Sequence, residues 1–174
     1  MVLERLFDLL PRYAETFDPK EDVLAYKEDG IWKKIDIVKY RRPVDLLSYG
    51  LLALGVKKGD TIATIMNNRP EWNYLDFAIM MVGAIHVPIY PTISKTEYQY
   101  IFNHANIRYV FVTGDEVVKK IKEVVKNCPS TQEIIVIKGK NGERNLSDII
   151  ELGEKNPNPE AVEALKAQIK TGDL

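Results

Sequence analysis

Four short runs rich in β-branched residues, TIATIM (61–66), AIHVPIYP (84–91), RYVFV (108–112) and EIIVI (133–137), are separated by segments of helical period. A strand that is apolar toward both sides must be covered on both sides, and a parallel sheet flanked by helices does this. The segments between the runs have the length and period for that cover. Pro70 suits the first position of a helix, Glu71 lies near its positive end, and apolar residues fill 72–82 before Gly83. Ser94-Lys-Thr-Glu97 has the spacing of a capping box, in which the hydroxyl and the carboxylate each accept from an otherwise unpaired amide. Thr113-Gly-Asp-Glu116 repeats that spacing ahead of VVKKIKEVVKNC, where Val117, Val118, Ile121, Val124 and Val125 share one face. The pattern predicts an α/β fold: a mostly parallel sheet of buried strands with helices on both faces. Pro88 and Pro91 are expected to bend or end the second strand.

The flanks read differently. MVLERLFDLLPRY carries charges within its apolar run, so it is an amphipathic helix and not a signal peptide. Asp29-Gly30 between two extended runs marks a hairpin over about Val23 to Ile35, because a type I′ turn needs positive φ at both central residues. Ile37, Tyr40, Val44, Leu47, Leu51 and Leu54 recur at helical spacing. Pro43 interrupts them, so the helix is expected to kink there or to begin there. Gly55 follows as its C-cap, and Gly59-Asp60 turns the chain into the first strand. After the fourth strand KGKNGERN reads as a polar turn, LSDIIELGEK as a short helix, NPNP as a breaker and EAVEALKAQIK as a charged amphipathic helix. TGDL ends the sequence without a strand to cover the sheet, which gives the expectation of an incomplete domain. On these boundaries residues 1–35 form a helix and hairpin, 36–140 an α/β core, and 141–174 a helical segment leading onward.

Composition narrows the function classes. With 24 Lys plus Arg against 25 Asp plus Glu, the formal net charge of -1 gives no footprint for nucleic acid or for a polybasic membrane anchor. The apolar stretch from Phe77 to Pro91 is shorter than the roughly 20 residues of a spanning helix, and no transmembrane segment is expected. One cysteine, Cys128, and two histidines, His86 and His104, exclude a disulfide framework and leave little for a metal cluster. The expected location is cytoplasmic. His86, inside a buried-type strand, is read as a packing residue or an indirect hydrogen-bonding partner, and His104 as a surface residue near a helix end. Lysines near Cys128 would lower its thiol pKa somewhat, without a histidine base beside it. Asp115 and Glu116 are explained by helix capping. Tyr90, Tyr98, Tyr100, Phe102, Tyr109 and Phe111 are read as core packing and not as a base-stacking surface. No Gly-x-Gly-x-x-Gly and no Gly-x-x-x-x-Gly-Lys-Ser/Thr is present, and neither Thr113-Gly114 nor Gly139 to Gly142 makes a phosphate loop.

Four elements in order then carry a resemblance: Gly55-Val-Lys-Lys-Gly-Asp60, Asn68-Arg-Pro-Glu-Trp72, Gly83-Ala-Ile-His-Val-Pro-Ile-Tyr-Pro91 and Thr92 to Tyr98. Together with the Trp32 hairpin, the Leu46 to Gly55 helix and RYVFVTGDE, they resemble the opening third of the adenylate-forming acyl-CoA synthetases, particularly the long-chain fatty-acid CoA ligases. The resemblance runs from about Glu4 to Leu174. It implies a flavodoxin-like or Rossmann-like subdomain of the large AMP-binding domain, and a parent that turns a fatty acid and Mg-ATP into an acyl-adenylate and passes the acyl group to coenzyme A. ATP, Mg2+ and coenzyme A are thereby implied for the parent and none for these residues alone. The family's phosphate loop, adenine-binding stretch, ribose-binding Asp and mobile-domain Lys lie downstream of the matched region. No catalytic, cofactor-binding or metal residue is therefore assigned. Pro88, Tyr90 and Pro91 match a scaffold motif, and the family's regular helix runs through the position of Pro43.

Inactivity of the chain alone follows as an expectation, as does self-association through an uncovered sheet edge. Peripheral membrane contact is left open. The alternatives are a fragment of a medium-chain or aromatic acid CoA ligase, and a free-standing, non-catalytic α/β binding or regulatory domain.

Overall fold

The computed structural model describes residues 4–139 and 142–173. A single 3-10 turn at Leu6–Asp8 leads into α1 (Leu9–Thr16), and a hairpin of β1 (Leu24–Glu28) and β2 (Ile31–Ile35) follows. Asp29 and Gly30 have φ of 50° and 80°, the double positive turn that the Asp-Gly pair predicts. The chain then runs α2 (Ile37–Ala53), β3 (Thr61–Ile65), α3 (Pro70–Met81), β4 (Ile85–Ile89), α4 (Lys95–His104), β5 (Tyr109–Val112), α5 (Asp115–Val124), β6 (Glu133–Val136), β7 (Arg144–Asn145), α6 (Leu146–Lys155) and α7 (Pro159–Ala167).

The last five strands form one parallel sheet in the order β4-β3-β5-β6-β7. Alternate residues serve opposite faces, as the pleat requires. Ile62, Tyr109, Phe111 and Ile135 pack with α2, α3 and α6 on one face, joined by Phe7, Leu10 and Val162. Ala63, Ile65, Val110, Val112 and Val136 pack with Tyr98 and Phe102 of α4 and with Val118, Ile121 and Val124 of α5 on the other. The two-sided cover expected from the apolar runs is thus present.

Several local expectations are corrected. The helix α2 does not begin at Pro43 but runs through it. Asp36 caps it, accepting from the Lys39 amide at 2.8 Å, and burial of Ile37, Tyr40, Val44, Leu47 and Leu51 outweighs the one backbone bond that Pro43 cannot donate. The strand β4 is not buried on both faces. It is an edge strand, with Ile85 36% exposed, Pro88 exposed, and His86 and Val87 half-buried. Since the Ile85 amide donates to Asp60 O at 2.8 Å, residues 85, 87 and 89 turn their amides toward β3. Pro88, with no N–H, falls on the open edge, where none is needed. Thr113 does not cap α5: Gly114, at φ 84°, occupies the cap position without a side-chain bond. Within the polar KGKNGERN stretch, Arg144–Asn145 pairs with β6 as a fifth, very short strand. Lys140 and Asn141 of the same stretch lie outside the described residues.

Candidate functional site

The first strand of the sheet in sequence order, β3, sends the chain to one face through α3, while β5 sends it to the other through α5. Between them the strand order reverses, and the crevice beyond the carboxyl ends of such strands is where open α/β sheets take ligands. Asn67, Asn68 and Arg69 follow β3 there, and Thr113, Gly114 and Asp115 follow β5. Two clefts of about 790 and 970 Å³ run along this end, sharing Glu71, Tyr74 and Lys138. The first lies between the hairpin and the start of α3, with Tyr26 and Arg69 in its wall; the second reaches Pro43, Asp115 and Asn145.

Among the charges lining these clefts one close pair forms. Arg69 grips Glu71 with two parallel bonds, Nε to Oε2 at 2.9 Å and Nη2 to Oε1 at 2.8 Å. Burial works against ionised Glu71, but the hydrogen bonds from Arg69 and from the backbone outweigh it and hold the carboxyl below its usual range. Tyr74 is pushed up to about 12, chiefly by burial and further by Glu71 and Tyr26, so its hydroxyl stays protonated near neutrality. Lys138 projects into solvent 4.0 Å from Glu28. A triphosphate would need a turn of free amides or unpaired cations. Here Arg69 is committed to Glu71, while Asp115 and Glu116 stand exposed on the first turn of α5. Lys27 and Lys138 line the first cleft as exposed cations, and no group of three or more His, Cys, Asp or Glu among the described residues could hold a metal ion.

A second constellation lies on α3 and the two adjoining strands. His86 Nδ1 is 2.6 Å from Asp76 Oδ1, and His86 Nε2 is 2.8 Å from Thr64 Oγ1. The Trp72 ring leans over the imidazole, centroids 5.3 Å apart at 50°. A carboxylate only accepts, so Nδ1 carries a hydrogen, and a neutral ring accepts the Thr64 hydroxyl at Nε2. Hydroxyl, imidazole and carboxylate stand in the order of a nucleophile with its base, yet Thr64 is 1% exposed and no substrate can reach its oxygen. The arrangement holds structure. His86 is thus held by hydrogen bonds to two other elements of the fold. Its partners, 10 and 22 positions away, were not foreseen. The one available signal was Asp76, the only charged residue within the apolar run 72–82.

Other residues singled out in the sequence are scattered. His104 is exposed at the end of α4, stacked on Tyr100 with centroids 5.5 Å apart. Tyr98, Phe102, Tyr109 and Phe111 are core residues, whereas Tyr90 and Tyr100 are 80% and 67% exposed, contrary to the packing expectation. Tyr90 leaves the end of an edge strand, and Tyr100 lies on the outer side of α4. Cys128 is buried beneath α5, and burial pushes its thiol up, opposite to the lowering expected from nearby lysines.

Residues 15–169 match the family described as AMP-binding enzyme. Long-chain-fatty-acid–CoA ligase FadD15 of Mycobacterium bovis is 28% identical over 91% of this chain, which spans 26% of that protein. Among solved structures, a long-chain-fatty-acid-CoA ligase (FadD1) from Archaeoglobus fulgidus superposes with a TM-score of 0.72 at 20% identity, covering 85% of this chain and 30% of its own. The anthranilate CoA ligase AuaEII, in complex with anthranoyl-AMP, does so with a TM-score of 0.71 at 22% identity, over 83% of this chain and 27% of its own. The chain spans about a quarter of the length of the curated relatives it matches.

Proposed function

The chain belongs to the AMP-binding enzyme family, and from that premise we propose that it is the scaffold part of a ligase that activates a long-chain fatty acid with ATP and passes the acyl group to coenzyme A. The observation that carries the reading is the match over residues 15–169, together with relatives named as long-chain fatty-acid CoA ligases. Fatty acid, ATP with Mg2+, and coenzyme A are the substrates of the proposed parent. In this reading residues 1–35 are a lead-in, 36–140 the α/β core, and 141–174 a helical segment leading toward the rest of the large domain.

The catalytic groups are proposed to lie outside this chain, which is inactive alone. The share of its relatives that the chain spans, about a quarter of their length, supports this, as does the pairing of Arg69 with Glu71, which takes one strand-end cation out of play. No helix among the described residues is long and apolar enough to cross a membrane; a cytoplasmic location, with any lipid contact peripheral, is part of the proposal. Fatty-acid-dependent exchange of pyrophosphate into ATP is the test. The purified chain is expected to give none, whereas the complete product of its gene is expected to give exchange with long-chain acids in preference to benzoate. Exchange by the chain alone would overturn the scaffold reading, and preference for an aromatic acid would overturn the substrate class.

A further inference from the structure

The edge position of β4 leaves it less firmly held than its neighbours. Among the described residues only β3 pairs with it, and its residues are mostly half-buried or exposed, while those of β5 are all buried. The segment that leaves it nevertheless has two side-chain ties. At the far end, the buried Tyr98 donates its hydroxyl to the Tyr90 carbonyl at 2.9 Å. At the near end stands His86, bonded on one side to Thr64 of β3 and on the other to Asp76 of α3. We propose that His86 is a latch: by joining β4 to the central strand and to α3 at once, it fixes the span Val87–Pro91 and the display of the exposed Tyr90 side chain at the carboxyl end of the sheet. This goes beyond the proposed ligase reading and does not depend on it.

Imidazole suits the task because its two nitrogens diverge. An amide of Asn reaches roughly the Nδ1 position and one of Gln roughly the Nε2 position, so each conservative replacement keeps half of the latch. A purely space-filling role would be indifferent to which half remains.

Amide hydrogen exchange on the whole chain tests the proposal, comparing Val87 and Ile89, whose N–H groups face β3, with Val110 and Phe111 of β5 as the measure of global opening. Thr64→Val preserves shape and removes only the hydroxyl. It is expected to speed exchange at Val87 and Ile89 by about tenfold or more relative to β5, because His86 Nε2 is left buried without its donor. Asp76→Ala, which removes the acceptor, and His86→Gln, which loses the Nδ1 half, are expected to do the same, and either serves should Thr64→Val fold poorly. Equal change at β4 and β5, or no change at either, would overturn the latch.

Discussion

Asp45, half-buried on α2, illustrates how one residue's setting becomes a measurable property. Burial pushes its carboxyl above the usual range, against the pull of Arg41 and Lys166 and with a push from Glu163. With the folded pKa raised, the unfolded chain gives up the proton first as pH rises. The native state then binds more protons, and stability falls through that window, from the ordinary carboxylate range upward. Asp45→Asn is therefore expected to be more stable than the parent chain at pH 7, by under about 1 kcal/mol for a residue still partly in solvent. The two should converge near pH 3, and urea unfolding at both values checks this. Spacing placed Asp45 on α2 but could not tell how far α7 and the N-terminal segment shut it off from water.

At the scale of elements, the tightest packing lies between α2 and α6. A Cβ built on Gly50 would overlap the carbonyl oxygen of Ile149, and one built on Gly153 would overlap that of Leu46. The glycines sit on opposite partners of one crossing, and each admits the other helix's backbone. Gly50→Ala or Gly153→Ala must separate the helices, and a loss of about 3 kcal/mol is expected from such overpacking. Gly55→Ala, whose Cβ would meet nothing within 4 Å, serves as a contrast that probes only the strained φ of 91°. Urea midpoints followed by far-ultraviolet circular dichroism separate the two effects. Both helices could be read from periodicity, with α6 following its polar turn. Their contact could not, because the residues that meet are about a hundred positions apart in the chain, beyond the reach of any periodic pattern.

For the molecule as a whole, the border of the sheet at β4 carries the exposed Ile85 and Tyr90. The open edge of β4 borders a cleft of about 480 Å³ whose walls include Trp72, Met80, Ile85 and Pro88. An uncovered edge with apolar neighbours invites pairing between chains, the basis of the proposed self-association. Light scattering after gel filtration is expected to show the mass rising with concentration. Ile85→Lys, at a position already 36% exposed, should return the monomer by placing a charge on that edge. A monomer at every concentration would argue that Pro88 alone suffices to block pairing.

Apart from the two-residue β7, the local pattern of the sequence sets which segments are strands and helices, their order, and the two-sided cover of the sheet. These follow from local periodicity: apolar runs such as Val110–Val112 cannot be left in water on either side, and Asp29-Gly30 or Ser94 with Glu97 sets a turn or a cap within a few residues. The motifs from Gly55 to Tyr98 likewise pointed to the family. Tertiary structure alone decided that AIHVPIYP lies at the edge, that Tyr90 faces solvent, and that Thr64, His86 and Asp76 meet in one hydrogen-bonded relay. Edge and centre are set by strand order, which depends on crossovers between distant segments. A polar contact between three elements depends on where those elements are finally packed.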